Sequence, residues 1–498
     1  MFPQDLEVQL DGNFELLGSA IGDAAYCRNH TTERINKACK LLQELGAVPD
    51  PAVALLLLRH CASFSKLVFS CRSMPHTVHA TATHEFDQSV RSCLESFLCA
   101  NFSDSEWSLA SLSTTLSGLG LRRASRHSCA AYLASSYSCQ DLCRMTDPAF
   151  SFDLADAASD VAAALADYNA QVSPEDRLTA ASPPDKFLQK SLSKALDNKD
   201  LHAIKQAAQA DPKMLAHLEL TGAARAGQWL HVAPSPHTRN SMDPFLFRIS
   251  IQRWLRAPIA DDDAVCPLCN GVLDKFGDHC LVCPNGGDRT KRHNHLRNRV
   301  HFFANSAGLN PELERPGLLP PRPFMGASPE NGIMPRDPSA RRPADVYLPR
   351  WRLGIPMALD FAVTSGMRDD TINATILDAS SAAVSYEGFK NSHMDTARLC
   401  QDEGLGFTPV IVEAHGGAWG PAAQSIFSEL ANCQSQITGE SKDMLLSQLY
   451  QNLGVILHCE NARAVLRRFR KFTHNVEEVL DAATTLQSAA ADAAVDDY

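Results

Sequence analysis

Four residues of metal-binding types lie close together in the middle of the chain. They read Cys-x2-Cys-x9-His-x3-Cys and are Cys266, Cys269, His279 and Cys283. Zn²⁺ takes four cysteine or histidine ligands in a tetrahedron, and two cysteines separated by two residues can bind it from one turn. Cys280 is an alternative fourth ligand. The spacing predicts a structural zinc site, and the metal itself would supply folding energy, because so short a segment buries no core.

A second set of residues follows, with the composition of a hydrolytic site. Asp345 and Asp360 each stand in a short apolar segment, where an unpaired carboxylate is costly. Two adjacent strands can bring both carboxylates to one Mg²⁺ ion, which prefers oxygen ligands. Lys390 ends the next predicted helix, where it can orient a water molecule and offset charge on a phosphorane-like transition state. The three residues together predict metal-assisted phosphodiester hydrolysis.

Three further residues are weaker candidates for the same site. Tyr386 shares a helix face with Lys390, because residues four apart in a helix lie above one another. Glu413 ends a later predicted strand and is a further catalytic candidate, and Glu314 is a further carboxylate ligand for Mg²⁺ from the first strand. For Lys390 itself, the alternative is an ordinary exposed lysine at the end of a helix.

Composition and charge restrict the class of protein. The chain has 498 residues, of which 45% are hydrophobic and 21% charged, as expected for a globular protein of several domains. No long apolar run and no signal-peptide pattern is visible, so we expect neither a membrane span nor secretion. The net charge of −11 argues against general affinity for nucleic acid, but local basic segments determine phosphate binding more than the total does.

Two basic segments are candidates for such binding. The first follows the cysteine pattern, and its predicted phosphate contacts are Lys291, Arg292, His293, Arg297, Arg299, Arg341 and Arg342. The second lies near the C-terminus and consists of Arg463, Arg467, Arg468, Arg470 and Lys471. The alternative for each segment is a solvated charged face without a ligand.

The hydrophobic pattern predicts a multi-domain chain that is mainly α-helical in its N-terminal half. A small zinc knuckle follows, and after it an α/β domain with a mixed central sheet and the order α-β-β-β-α-β-α. Its strands are predicted at 312–315, 345–348, 357–364 and 407–414, with a helix at 371–390 before the last strand. The predicted segments are 1–30, 31–150 (helical), 151–263 (helical, with a linker at 182–185), 264–284 (knuckle), 285–440 (α/β) and 441–498 (helix and acidic tail).

The α/β segment resembles the PD-(D/E)xK restriction-like nuclease fold. In that fold the first acid follows a proline, and the second begins an Asp/Glu-x-Lys motif. This chain has Pro343-Ala344-Asp345, with an inserted alanine, and Asp360-Phe361-Ala362, with alanine in the lysine position. Lysines in this fold can move to the following helix. The resemblance therefore implies a Mg²⁺- or Mn²⁺-dependent DNA endonuclease with Lys390 in the role of the missing lysine.

A wider resemblance covers most of the chain. The cysteine pattern, Gly277-Asp278-His279, Arg292-His293-Asn294 and the two acidic motifs together are similar to the C-terminal part of non-LTR retrotransposon polyproteins with a restriction-like endonuclease. Residues 14–22 are similar to the segment that closes the polymerase palm in such proteins. The resemblance implies a palm remnant at 1–30, a thumb and connector at 31–150, a DNA target, element RNA as a further partner, no small-molecule substrate, and action in the nucleus.

In that family the nuclease nicks target DNA to prime reverse transcription. The aspartates of a polymerase site are missing, because Asp261-Asp262-Asp263 lacks strand-like flanks, so we expect no DNA synthesis by this chain. Two rival functions remain open. One is a catalytically inactive nucleic-acid-binding remnant, and the other is a junction or repair nuclease of the same fold outside any transposon.

Overall fold

A computed structural model describes residues 11–469, except 151, 155, 157–158, 236–239 and 321–342. Arg341, Arg342, Arg470, Lys471 and the predicted acidic tail lie outside the described residues. The chain divides into two compact units, 1–207 and 208–498, and the predicted helical segment 151–263 spans the boundary between them. The described chain is mainly helical, and this includes the N-terminal half, which was predicted to be so.

The first unit contains a two-stranded hairpin and eight α-helices among its described residues. The hairpin of β1 (Phe14–Leu16) and β2 (Ser19–Ile21) turns at Leu17 and Gly18, which both have positive φ, as tight hairpin turns require. The helices are α1 Ala24–Gly46, α2 Pro51–Leu57, α3 Val68–Ser73, α4 Ala80–Leu98, α5 Asp104–Ser111, α6 Ala124–Thr146, α7 Asp160–Gln171 and α8 Gln189–Ala207.

One segment of this unit has the length and composition of a membrane span, although the sequence led us to expect none. It runs from Pro51 to Ser73, and 44% of its most apolar window is buried inside the protein. Between α2 and α3 it contains a π-helical turn, Leu58–Ala62, and a 3-10 turn, Phe64–Lys66. Length and composition alone do not distinguish a span from the core helix of a folded domain.

A buried residue, Phe187, follows the predicted linker at 182–185. Pro184–Phe187 form a 3-10 turn, and the Phe187 side chain is only 1% exposed. Its ring stacks on Tyr137 of α6, with 4.0 Å between ring centroids. Phe187 also packs with Leu133, Tyr168 and Leu196 in one core cluster. The segment beside the predicted linker is therefore anchored in the core of the first unit.

The second unit contains the cysteine pattern and the predicted α/β segment. Its helices are α9 Pro212–Gly222, α10 Pro244–Trp254, α11 Asp278–Val282, α12 Asp288–Ser306, α13 Ile372–Leu377, α14 Ser381–Ser392, α15 Thr396–Asp402, α16 Pro421–Thr438 and α17 Lys442–Leu466. Its strands are β3 Ala264–Val265, β4 Val272–Leu273, β5 Glu312–Leu313, β6 Val346–Leu348, β7 Met357–Thr364 and β8 Gly406–Glu413.

The larger sheet of this unit is mixed, as predicted, with the order β5-β6-β7-β8. The first two pairings are antiparallel, and β7 pairs with β8 in parallel over their whole length. The prediction of one helix at 371–390 was wrong, because α13 ends before Asp378 and α14 begins at Ser381. The Asp378 carboxylate accepts hydrogen bonds from the backbone and hydroxyl of Ser380, and such local bonds compete with helix continuation.

The residues of β7 alternate between two packed faces. Leu359 and Phe361 belong to a core cluster with Val300 of α12, Phe427 of α16 and other residues of α17. Ala358 belongs to a smaller cluster on the opposite face. Because side chains alternate along a strand, Asp360 projects to the same side as Ala358, away from the large core.

We predict that Phe187→Ala lowers the free energy of unfolding of the first unit by about 3–5 kcal/mol, because it leaves a cavity beside Tyr137. Urea unfolding of the purified chain measures the change. The matched control is Phe150→Ala, since Phe150 is 36% exposed and its loss creates no buried cavity. Equal effects of the two substitutions would contradict the packed position of Phe187.

Candidate metal centres and active site

The four predicted zinc ligands converge. The Sγ atoms of Cys266 and Cys283 lie 4.0 Å apart, and the Sγ of Cys269 lies 3.1 Å from Nε2 of His279. All four ligand atoms lie within 4.8 Å of one another. A tetrahedral zinc–thiolate site places its sulfur atoms roughly 3.8 Å apart, given a Zn–S bond of about 2.3 Å. The group can therefore hold a metal ion such as zinc.

Local backbone geometry explains how this group forms. The β3–β4 hairpin closes with a hydrogen bond from the Cys266 N–H to the Gly271 carbonyl, at 2.8 Å. A Cβ atom on Gly271 would lie 3.0 Å from the His279 ring and 3.4 Å from the Cys269 sulfur, so a larger residue would crowd two ligands. Asp274 accepts the His279 N–H at 2.8 Å, which fixes the first turn of α11.

The electrostatics of Cys266 also suit a metal ligand. Burial opposes ionisation of its thiol, but the backbone N–H groups of Leu268 and Cys269 and the side chain of His279 lower its pKa to about 6. Cys280, the alternative ligand, is 1% exposed and lies outside the converging group. Burial raises the pKa of its thiol strongly. The structure thus favours Cys283 over Cys280 as the fourth ligand.

A buried polar network joins the knuckle to the end of the sheet. Asp278, beside the ligand His279, pairs with Arg256 at 3.1 Å and lies 3.6 Å from His415, which follows β8. His415 Nε2 in turn lies 3.1 Å from the Ser365 hydroxyl, which follows β7. Sequence reasoning missed Arg256 and His415, since nothing in their spacing points to the knuckle.

The two predicted catalytic acids lie side by side. Asp345 immediately precedes β6, and its N–H donates to the Leu359 carbonyl of β7 at 2.9 Å. Its carboxylate accepts the Phe361 N–H at 2.6 Å, which directs it across β7 towards Asp360. Asp345 directly precedes the pair Val346–Leu359 in the β6–β7 register and so lies opposite Asp360. The two strands thus bring together two carboxylates that are separated in the sequence.

Lys390 completes the arrangement from α14. Its Nζ donates to both carboxylate oxygens of Asp360, at 2.8 and 3.1 Å. Burial raises the pKa of Asp360, the charge and hydrogen bonds of Lys390 oppose this shift, and the charge of Asp345 raises the pKa further. The two side chains offer carboxylate oxygens, the ligand type that Mg²⁺ and Mn²⁺ prefer.

His293 of α12 balances the other acid. Its Nε2 lies 3.2 Å from the Asp345 carboxylate and 3.2 Å from the Phe361 carbonyl. Burial alone would raise the pKa of Asp345, but the hydrogen bond and charge of His293, the Phe361 N–H and the charge of Lys390 lower it. His293 was predicted as a phosphate contact, and the structure places it against a candidate catalytic acid instead. No pattern in the sequence indicates this pairing.

No protein-family model and no curated protein matches this chain. The candidate sites therefore rest on the chain's own residues and their geometry.

The weaker candidates occupy different positions. The Glu413 side chain is fully buried, and its carboxylate accepts backbone N–H groups from Gly366, His415 and Gly416 at 2.8–3.0 Å. These bonds give Glu413 a structural role in the turn after β8. Glu314 pairs with Arg297, and Tyr386 is half-buried on α14 with its ring against Phe389.

Two arginines among the predicted phosphate contacts are buried. Arg292 is 5% exposed, and its guanidinium donates to Asn461 at 2.7 Å and to the Leu281 carbonyl at 2.9 Å. Arg297 is 8% exposed and pairs with Glu314. Lys291 is exposed and Arg299 half-buried, so these two remain the described candidates.

The described arginines of the C-terminal basic segment also form ion pairs within the protein. Arg467 and Arg468 both donate to Asp288, at 2.5 and 2.7 Å, and Arg468 is only 2% exposed. Arg463 pairs with Glu460. These pairs attach the end of α17 to the start of α12. The interpretation of this run as a phosphate-binding patch is therefore not supported by where its described residues lie.

We predict that Cys283→Ser purifies without bound zinc, because the metal then lacks one of its four ligands. Cys280→Ala, which removes a buried thiol outside the group, should keep the zinc content of the wild type. Metal analysis of the two purified variants measures the difference. Zinc lost from the Cys280 variant and kept by the Cys283 variant would reverse the assignment.

Proposed function

We propose that the chain is a divalent-metal-dependent DNA endonuclease with a restriction-like α/β domain and a structural zinc knuckle. The observation that carries the proposal is the convergence of Asp345, Asp360 and Lys390. Two acids from neighbouring strands and a lysine are what the PD-(D/E)xK resemblance requires. The observed order of the mixed sheet is compatible with that fold.

Each residue has a definite task in this proposal. Asp345 and Asp360 would hold the metal, which when bound polarises a phosphate oxygen and lowers the pKa of a water molecule. Lys390 places a positive charge beside Asp360, where it stabilises negative charge that develops on the phosphate. His293 and the Phe361 N–H fix the carboxylate of Asp345 in its ionised form.

The lysine position supports an active enzyme over an inactive remnant. Ala362 stands at the position where the PD-(D/E)xK motif has its lysine. The absence of a lysine there favoured the interpretation of the chain as a binding protein. The Lys390 ammonium contacts Asp360 directly, so the missing charge is supplied from α14. The wider proposal, a non-LTR retrotransposon origin with nicking of target DNA in the nucleus, rests on the motifs of the sequence alone.

We predict that the protein nicks supercoiled plasmid with Mg²⁺ or Mn²⁺, and that Asp345→Ala and Asp360→Ala each reduce the rate at least about 100-fold, because each removes a metal ligand. The control is Asp370→Ala, whose side chain is 69% exposed and pairs only with nearby Arg368 among its described ion pairs. Gel electrophoresis of the plasmid measures the rate. A folded, zinc-loaded wild type that cuts nothing would favour the binding-protein function.

A second prediction tests the role of the lysine. Lys390→Ala should slow nicking by about 100-fold, the usual effect of losing one group that stabilises transition-state charge. Ala362 and Asp360 lie two residues apart on β7 and so face the same side of the sheet. Lys390→Ala combined with Ala362→Lys should therefore recover part of the lost rate. Normal nicking by Lys390→Ala would exclude Lys390 from the mechanism.

A further inference from the structure

Three aromatic side chains, two exposed and one half-buried, form a row beside Lys390. They are Tyr386, Phe389 and His393, which we call the aromatic row. Ring centroids are 5.5 Å apart between Tyr386 and Phe389, and 5.0 Å apart between Phe389 and His393. Phe389 is 50% exposed. Neighbouring exposed aromatic rings of this kind are suited to contact with another molecule.

The row is continuous with the candidate active site. Tyr386 lies one helical turn before Lys390 and so shares its side of α14, while the Phe389 ring lies against Tyr386 and the His393 ring against Phe389. The Lys390 ammonium donates to Asp360. A strand whose phosphate lay at Asp345 and Asp360 would therefore have its adjoining nucleotides within reach of α14.

The charged side chains near the row already have partners within the protein. Lys390 is cationic, and the carboxylate of Glu387 accepts the Ala422 N–H at the start of α16, at 3.1 Å. The next acidic residue, Asp395, pairs with Arg398 at 3.2 Å. The row thus offers aromatic faces on the helix that carries Lys390, and aromatic faces are what stack unpaired bases.

We propose that the aromatic row stacks an unpaired base of the DNA strand next to the bond that is cut. A base inside a duplex is covered on both faces by its neighbours, so only an unstacked base can occupy such a platform. The inference rests on the proposed nuclease function and names its substrate class. That class is DNA with unpaired nucleotides at the cleavage point.

The test measures stacking separately from cleavage. A single-stranded oligonucleotide carries 2-aminopurine, an adenine analogue whose fluorescence falls when it stacks, and Ca²⁺ replaces Mg²⁺ to prevent cutting. The wild type should quench the fluorescence. Phe389→Ala should bind about 10-fold more weakly, because it loses one stacked base, and it should lose the quenching.

Two further variants make the result specific. Phe389→Leu keeps an apolar side chain without a ring and should also lose the quenching. Val384→Ala changes another residue of α14 that is 45% exposed, and it should bind like the wild type. Because Phe389 and Val384 are both exposed, none of these changes removes a core contact.

Distinct outcomes separate this inference from the proposed function. Quenching and affinity unchanged in Phe389→Ala would overturn the inference, even if the plasmid is nicked normally. If the quenching depends on Phe389 but the protein nicks no plasmid, the stacking by the aromatic row is supported and the proposed nuclease function is wrong. If Phe389→Ala abolishes only self-association of the chain, the row is a contact between two copies and the inference is wrong.

Discussion

The candidate site depends on two half-buried carboxylates that lie side by side. Asp345 and Asp360 repel each other, and each contacts a basic side chain from a different helix, His293 of α12 and Lys390 of α14. The antiparallel pairing of β6 with β7 holds the acids together, and the crossover from β7 to β8 carries α14 back over the same face. A charge cluster of this kind costs stability unless it is fully paired, and such clusters are concentrated at functional sites.

The candidate metal-binding group and the sheet are joined by polar contacts within the second unit. Asp278 follows the knuckle turn and contacts Arg256 and His415, and His415 contacts Ser365 at the end of β7. Asn461 of α17 donates to the Ala414 carbonyl and accepts from Arg292 of α12. These contacts explain why arginines of the first basic segment are buried inside the protein. Its arginines hold helices and the knuckle together, and only a few of its described cations face solvent.

The sequence was informative where chemistry depends on local spacing. The Cys-x2-Cys clasp and the strand bounds of 357–364 both follow from short-range patterns, and the structure agrees with each. Contacts between distant elements were not predictable in the same way. The pairing of His293 with Asp345 and the burial of Arg292 depend on how α12 packs against the sheet, which no single-sequence pattern encodes. The break at Asp378 was missed because a side chain cap competes with the helical periodicity around it.

The central claim is that Asp345 and Asp360 bind one divalent ion. Anomalous diffraction from crystals grown with Mn²⁺ locates that ion directly, whether or not a substrate is found. We expect a Mn²⁺ peak in contact with both carboxylates, and its loss from crystals of Asp360→Ala that retain the zinc peak at the knuckle. A Mn²⁺ peak at another place in a protein that nicks DNA, or none between the two acids, would contradict the account.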